Sequence, residues 1–184
     1  MIRSTILTCV TALLVAGGSA AAQDMPPMPA PGPEHAVFKM DEGTWDATVE
    51  ISPPGAPPMT SKGIEVNSIG CSGLCLVTDF KGEMMPGTPF HGFGLMAYDS
   101  AAKKYVGSWT DSMSVGIASI SATYDAASKK MSSTMESRDM TGAMVKGRSV
   151  AEYKGADQRV MTMYATGPDG KEMQTMRITY SRRK

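Results

Sequence analysis

From Gly43 onward, short β-prone runs alternate along the chain with clusters of turn residues. No helical period lies between the runs, so the pattern predicts strands whose side chains alternate between two faces. Residues 34–42, just before them, predict one or two helical turns that must pack on something to be stable. Ten strands are predicted, at 44–51, 60–69, 74–82, 89–98, 104–111, 114–124, 129–137, 144–153, 158–166 and 171–181.

A weak internal repeat indicates how these strands are connected. Tyr98, Tyr124, Tyr153 and Tyr180 are spaced by 26, 29 and 27 residues, about the length of two strands and two turns. Each tyrosine is therefore expected to end a strand, with the loops that follow at one end of the molecule. An open sheet would expose two unpaired edges, so we expect an all-β, antiparallel up-and-down barrel of about 8–10 strands. A two-sheet β-sandwich is the alternative.

The N-terminal residues differ from the rest of the chain in composition. Residues 1–22 carry one basic residue, an apolar run and then small residues, which is the order of a secretory signal peptide. An uncleaved anchor is the alternative. Residues 23–33 contain five prolines and predict an extended, disordered tether. Residues 34–184 are then one barrel domain of a periplasmic or secreted protein, with no membrane span after cleavage.

Charge and cysteine content narrow the choice of partners. The mature chain would carry 17 basic and 18 acidic residues, so nothing in its charge favours nucleic acid or an anionic membrane. Cys71 and Cys75 predict a disulfide in an exported protein. Two free thiols or a metal site are the alternatives, although His35 and His91 are the only histidines and no metal site is predicted.

Two features of the sequence resemble the calycins, the group that holds the lipocalins and the fatty-acid-binding proteins. One is Gly43-Thr44-Trp45, a Gly-x-Trp at the start of the first strand, and the other is Arg177 in the last strand. The resemblance implies that Trp45 closes one end of the barrel and that Arg177 stacks across it.

A second resemblance covers about residues 34–182 and is to the bacterial domain-of-unknown-function 1579 family. That family has no established activity, so the resemblance implies no reaction. Cys71 and Cys75 depart from the family pattern. The matching segments are Gly55-Ala56-Pro57-Pro58-Met59, Ser61-Lys62-Gly63, Lys81-Gly82-Glu83-Met84, Pro89-Phe90-His91-Gly92, Tyr98-Asp99, Lys104 to Met113 and Thr166 to Glu172.

One strand carries most of the candidate ligand-binding residues. Trp109, Asp111 and Met113 share a face, and if that face points inward a carboxylate beside an indole would line a cavity. A buried carboxylate needs a partner, for which Arg177 or Arg148 could serve. Alternatively, Asp111 ends the strand and caps a turn.

His91 and the methionines give further candidates. His91 could ligate a haem iron, as in barrels of the nitrobindin type, although an exposed or hydrogen-bonded structural histidine is the simpler interpretation. Sixteen methionines remain after residue 22, and thioethers bind Cu(I). Methionine is also an adaptable core filler that can line an apolar pocket.

Three hypotheses follow from these features. A hollow barrel would bind a small apolar ligand, with Trp45, His91, Trp109, Asp111, Met113 and Arg177 as candidate contacts. A filled barrel would be a structural or interaction protein of the cell envelope. Handling of copper through methionine is the third. No catalytic motif occurs, so the sequence favours a protein that is not an enzyme, and it predicts no cofactor.

Overall fold

The computed structural model describes residues 28–53, 55–85, 87–167 and 170–184. A 3-10 turn (Pro33–His35) leads into the helix α1 (Ala36–Asp41), which matches the helical turns predicted there. The predicted signal peptide and the first part of the tether, residues 23–27, lie outside the described residues. Ten strands follow: β1 (Gly43–Ile51), β2 (Met59–Gly70), β3 (Cys75–Met85), β4 (Thr88–Asp99), β5 (Lys104–Asp111), β6 (Ala118–Asp125), β7 (Lys130–Arg138), β8 (Met144–Tyr153), β9 (Gln158–Thr166) and β10 (Glu172–Arg182).

All ten predicted strands are confirmed, with one substantial difference at a boundary. β6 begins at Ala118 and not at 114. The side chain of Asp111 accepts a hydrogen bond from the backbone N–H of Met113, and the backbone N–H of Ser114 donates to the Asp111 carbonyl. These bonds turn the chain away from the sheet, so residues 112–117 form a loop.

The strands close into an antiparallel up-and-down barrel. Each strand pairs with its neighbour in sequence, and β1 pairs with β10 from Trp45 opposite Arg182 to Ile51 opposite Met176. Closure leaves no unpaired edge, so the predicted barrel is confirmed and the sandwich alternative is wrong.

The helix α1 closes one end of the barrel, which we call the floor. Val37 and Phe38 are buried there against Leu76, Tyr105 and Tyr153. The hydroxyl of Tyr105 also donates to the backbone carbonyl of Glu34 at 2.7 Å, which ties the start of the helical segment to β5. Burial raises the pKa of Tyr105 to about 12, so the phenol stays neutral and keeps this bond at physiological pH.

The tyrosine repeat marks the floor end of the barrel. Tyr98, Tyr124, Tyr153 and Tyr180 lie near the ends of β4, β6, β8 and β10, and all four strands run toward the floor. This confirms the prediction that the loops after these strands share one end of the molecule. The opposite end, which we call the rim, is where the chain passes from β1 to β2, β3 to β4, β5 to β6, β7 to β8 and β9 to β10.

A disulfide joins Cys71 to Cys75 in the floor loop between β2 and β3, with 5.5 Å between their Cα atoms. The predicted pairing is therefore confirmed. Among the described residues, no helix is long and apolar enough to cross a membrane.

Candidate ligand-binding cavity

The interior of the barrel is hollow. A cavity of about 650 Å³ runs from the floor end to the rim, where Ser114 and Val145 line it. Seven of the described methionines line its walls, four of them on β7 and β9: Met131, Met135, Met161 and Met163. The aromatic rings of Phe80, Phe90 and Trp109 line the wall formed by β3, β4 and β5.

A buried group of polar and charged side chains, which we call the floor cluster, lies at the floor end of this cavity. Arg159, at the start of β9, binds Asp41 through Nη1 and Glu65 through Nη2. The hydroxyl of Tyr153 donates to the second oxygen of Asp41 at 2.9 Å. The side-chain amide of Asn67 donates to Glu65 Oε1 at 2.7 Å.

Two carboxyl groups of this floor cluster share one guanidinium. Burial raises the pKa of Asp41, although the Arg159 charge and the Tyr153 hydrogen bond oppose it. Burial alone would lower the pKa of Arg159, but the Glu65 and Asp41 carboxylates hold it above its usual value. Arg159 is thus a fixed cation that two carboxyl groups already bind, and it has little capacity to bind an anionic ligand.

Trp45 lies beneath the floor cluster and seals it. Its side chain is 1% exposed, and its indole N–H donates to the Asp41 carbonyl at 2.8 Å. The guanidinium carbon of Arg159 lies 4.8 Å from the Trp45 ring centre and 4.3 Å from that of Tyr180. Trp45 therefore lies at the closed end of the barrel, which is the position that the resemblance implied for it.

Trp109 and Asp111 form a second polar site, on the wall near the rim. The indole Nε1 of Trp109 donates to Asp111 Oδ2 at 2.8 Å, and the N–H of Met113 donates to Oδ1 at 2.9 Å. Both interpretations of Asp111 hold, because the carboxylate caps the turn after β5 and also lines the cavity. Within the described chain, Asp111 forms no salt bridge.

Two glycines on β4 make room for the indole of Trp109. Gly92 pairs with Asp111, and Gly94 pairs with Trp109. A Cβ at Gly92 would come within 2.3 Å of the Trp109 ring, and one at Gly94 within 3.1 Å. The absence of side chains at these two positions therefore lets the ring lie flat against the barrel wall.

The other predicted contacts lie outside the cavity. Met113 is exposed in the loop after β5, and His91 lies on the outer wall with Nε2 2.8 Å from Asp79 Oδ1. A haem held inside the barrel could not reach His91 at this position, and the histidine forms a hydrogen bond, as the simpler interpretation expects. The methionines of the copper hypothesis lie in different surroundings. Met25 lies outside the described residues, Met28 is exposed, and seven others line the cavity.

The predicted role of Arg177 is wrong. Arg177 is exposed on the outer wall, where its Nε lies 3.7 Å from Glu50. The arginine of the last strand that stacks on Trp45 is Arg182, and the proposed partnership of Arg177 with Asp111 is also wrong. Arg148, the other proposed partner of Asp111, forms two hydrogen bonds with Glu172, at 2.8 and 2.7 Å.

The floor cluster was missed from the sequence. Its members lie far apart in the chain, at Asp41, Glu65, Asn67, Tyr153 and Arg159, so no local motif unites them. One signal was present at β9, since the period-two rule places position 159 on the same face as the apolar positions 161 and 163. A charged residue on such a face predicts a buried ionic partner.

No group of three or more His, Cys, Asp or Glu side chains that could hold a metal ion occurs within the described part of the chain. The closed barrel, its helical floor and its open interior place the protein in the class of lipocalin-like barrels. Residues 30–182 match the family model described as "Protein of unknown function (DUF1579)". The chain belongs to this family, as its sequence motifs indicated.

Two solved structures show similar folds. The structure of Rv2717c from M. tuberculosis matches with a TM-score of 0.63 and 10% identity, over 83% of this chain and 99% of the other. The S-type phycobiliprotein lyase CPES from Guillardia theta matches with a TM-score of 0.55 and 11% identity, over 82% and 93%. At these identities the likeness concerns the fold alone. No curated protein matches the sequence.

Proposed function

We propose that the protein binds a small, mostly apolar ligand inside the barrel. The observation that carries this proposal is the cavity of about 650 Å³, which lies within the size range of known small-molecule sites, roughly 300–1,000 Å³. A structural barrel would gain stability from a filled interior, because empty apolar space forfeits packing contacts. The open interior therefore favours the binding hypothesis over that of a filled barrel.

The lining indicates an adaptable site for apolar groups. Methionine side chains are unbranched and polarizable, so a wall rich in them can fit ligands of differing shape. The floor cluster has its polar groups largely paired among themselves. The apolar body of a ligand would thus occupy the methionine-lined middle of the cavity, between the floor and the rim.

We propose further that the protein acts outside the cytoplasm, in the periplasm or as a secreted protein. The Cys71–Cys75 disulfide supports this location, because such bridges persist mainly in oxidising compartments. Mass spectrometry of the protein purified from its own host provides the test. A mature chain that begins after residue 22 is expected, and a chain that retains Met1 would contradict the proposal.

The ligand-binding proposal can be tested by blocking the cavity. Gly147 lines it, and a Cβ there would meet only the Tyr164 carbonyl oxygen, at 3.5 Å, so Gly147→Leu adds a side chain without a backbone clash. We expect the natural protein to bind the neutral fluorophore N-phenyl-1-naphthylamine and this variant to bind it at least about tenfold more weakly.

The matched control is Gly116→Leu, because nothing lies within 4 Å of a Cβ at that rim position. It should leave the affinity for the fluorophore unchanged. Native mass spectrometry should also reveal a co-purifying lipophile in the natural protein and none in Gly147→Leu. Failure of the natural protein to bind either the fluorophore or a lipophile would refute the proposal.

A further inference from the structure

We propose that the ligand carries a positively charged or strongly hydrogen-bond-donating head group, most simply an amine, that binds Asp111 beside the indole of Trp109. This inference rests on the proposed binding function and specifies the class of ligand. It assigns the two ends of the cavity different roles, with the apolar body inside and the head group near the rim.

The geometry of Asp111 supports an acceptor site. Each carboxylate oxygen accepts one hydrogen bond from the protein, from Trp109 Nε1 at 2.8 Å and from the Met113 N–H at 2.9 Å. A carboxylate oxygen has two lone pairs, so both oxygens keep capacity for a further donor. The two bonds hold the carboxylate in place before any ligand arrives, which reduces the entropy lost on binding.

Trp109 adds a second element that suits a cation. Its ring lies against Gly92 and Gly94 and lines the cavity. An indole face attracts ammonium groups through its quadrupole, and tryptophan does this best among the aromatic side chains. The Asp111 carboxylate, bound at the N–H edge of this indole, therefore offers an ammonium head a charge-assisted hydrogen bond, and the neighbouring ring face offers it a cation–π contact.

The charges of the residues that line the cavity also favour a cationic head group over an anionic one. At the floor, Arg159 is shared between the carboxylates of Asp41 and Glu65. Higher in the barrel, Lys146 lies 2.7 Å from Glu136, and Arg148 is bound by Glu172. The cations among the lining residues are thus each bound to an acidic partner, whereas Asp111 adds an uncompensated negative charge. A ligand carboxylate would meet electrostatic repulsion there.

Three ligands with the same chain and different heads test the inference. Dodecylamine, dodecanol and dodecanoate are titrated at pH 7, below their aggregation concentrations, as competitors of N-phenyl-1-naphthylamine. We expect the amine to bind about tenfold more tightly than the alcohol, since a charge-assisted hydrogen bond exceeds a neutral one by about that factor, and dodecanoate to bind most weakly.

Two variants locate the preference. Asp111→Asn keeps the side-chain shape and an acceptor oxygen but removes the charge, so the amine should lose its tenfold advantage while dodecanol affinity stays within about twofold. Asp79→Asn removes a carboxylate from the outer wall, where it pairs with Lys81 and His91, and should leave the preference unchanged. Trp109→Phe should also weaken amine binding. It provides the test of the head-group position if Asp111→Asn fails to fold.

The possible outcomes separate this inference from the proposed function. Equal affinity for the three ligands, or tightest binding of dodecanoate, would overturn the amine assignment and leave the apolar site intact. An amine preference that survives Asp111→Asn, or survives Trp109→Phe when Asp111→Asn does not fold, would overturn the placement of the head group. If the fluorophore and all three ligands fail to bind, the proposed function fails, and the inference fails with it.

Discussion

The guanidinium of Arg182 lies 4.1 Å from the centre of the Trp45 ring. Its Nη2 donates to the Met40 carbonyl and its Nε to the Ala156 carbonyl, both at 2.9 Å. A third donor, Nη1, binds the Glu42 carbonyl. One side chain at the end of β10 thus connects the end of α1, the loop before β9 and the first strand, so it fastens the barrel closure to the floor.

We predict that Arg182→Met lowers the free energy of unfolding by about 2–4 kcal/mol, because it removes the cation–π contact and leaves three carbonyl acceptors without this donor. Arg177→Met is the matched control in the same strand. Arg177 is exposed, and its ion pair with Glu50 should contribute less than about 1 kcal/mol. Urea unfolding followed by circular dichroism measures both values. Equal losses in the two variants would contradict the stacking role of Arg182.

The contrast between Arg177 and Arg182 shows how much of the closed barrel end could be predicted from the sequence. The Gly-x-Trp motif located Trp45 correctly, but the resemblance chose the wrong arginine. The apolar positions Ile178 and Tyr180 share the inner face of β10, and that face includes position 182 and excludes 177. Period-two alternation, applied to this strand, would have selected Arg182.

Other features could not be obtained from local patterns. Local patterns were sufficient for the ten strands, because each strand is specified by the β-propensity of its own segment and by the turn residues on either side of it. The floor cluster instead depends on contacts such as that between Asp41 and Arg159, 118 positions apart in the chain. Whether the barrel is hollow depends on how its inward side chains pack together, and composition alone does not determine that packing.

The floor cluster leads to a prediction with a defined pH dependence. Arg159→Met would leave Asp41 and Glu65 buried without their cation, and we expect a loss of about 3–5 kcal/mol at pH 8. Burial already raises the pKa of Asp41 above 3.8, and removal of Arg159, which lowers it, would raise that pKa further. A carboxyl with a raised folded-state pKa stabilises the fold at low pH, and this contribution is lost as the pH rises.

The loss in free energy of unfolding caused by Arg159→Met should therefore be smaller at pH 5 than at pH 8. Urea denaturation of the variant and the natural protein at both values measures it. Adding Asp41→Asn to the variant removes one of the two unpaired charges and should recover part of the stability at pH 8. A deficit that is the same at both pH values would show that lost packing, and not buried charge, dominates.

The contact between Gly92 and Trp109 predicts that substitutions at these two positions have strongly coupled effects on the free energy of unfolding. Gly92→Ala would place a Cβ 2.3 Å from the indole and push the ring from the wall, at a cost of about 1–3 kcal/mol. In a Trp109→Phe background the same change should cost much less, since the clashing atoms belong to the six-membered ring of the indole. A double-mutant cycle from urea unfolding measures the coupling.

Gly147→Ala is the control. The nearest atom to its Cβ lies at 3.5 Å, so this substitution should change the free energy of unfolding by less than about 1 kcal/mol. Additive effects of Gly92→Ala and Trp109→Phe on the free energy of unfolding would contradict a close contact between the two positions.

The Cys71–Cys75 bridge should contribute to stability and not to binding. The enclosed loop holds Cys71, Ser72 and Gly73 at φ values of 52°, 55° and 96°, a left-handed conformation that non-glycine residues rarely adopt. Chain entropy predicts about 2 kcal/mol for a loop this short.

A double variant, Cys71→Ser with Cys75→Ala, tests this contribution while keeping the buried position 75 apolar. Its Tm should fall by about 4–8 °C in a thermal scan followed by circular dichroism. Reductant should lower the Tm of the natural protein by a similar amount and leave the variant unchanged. The loop lies at the floor end, away from the rim, so the affinity for N-phenyl-1-naphthylamine should stay the same at 25 °C. A large loss of affinity with the fold intact would show that the bridge shapes the cavity itself.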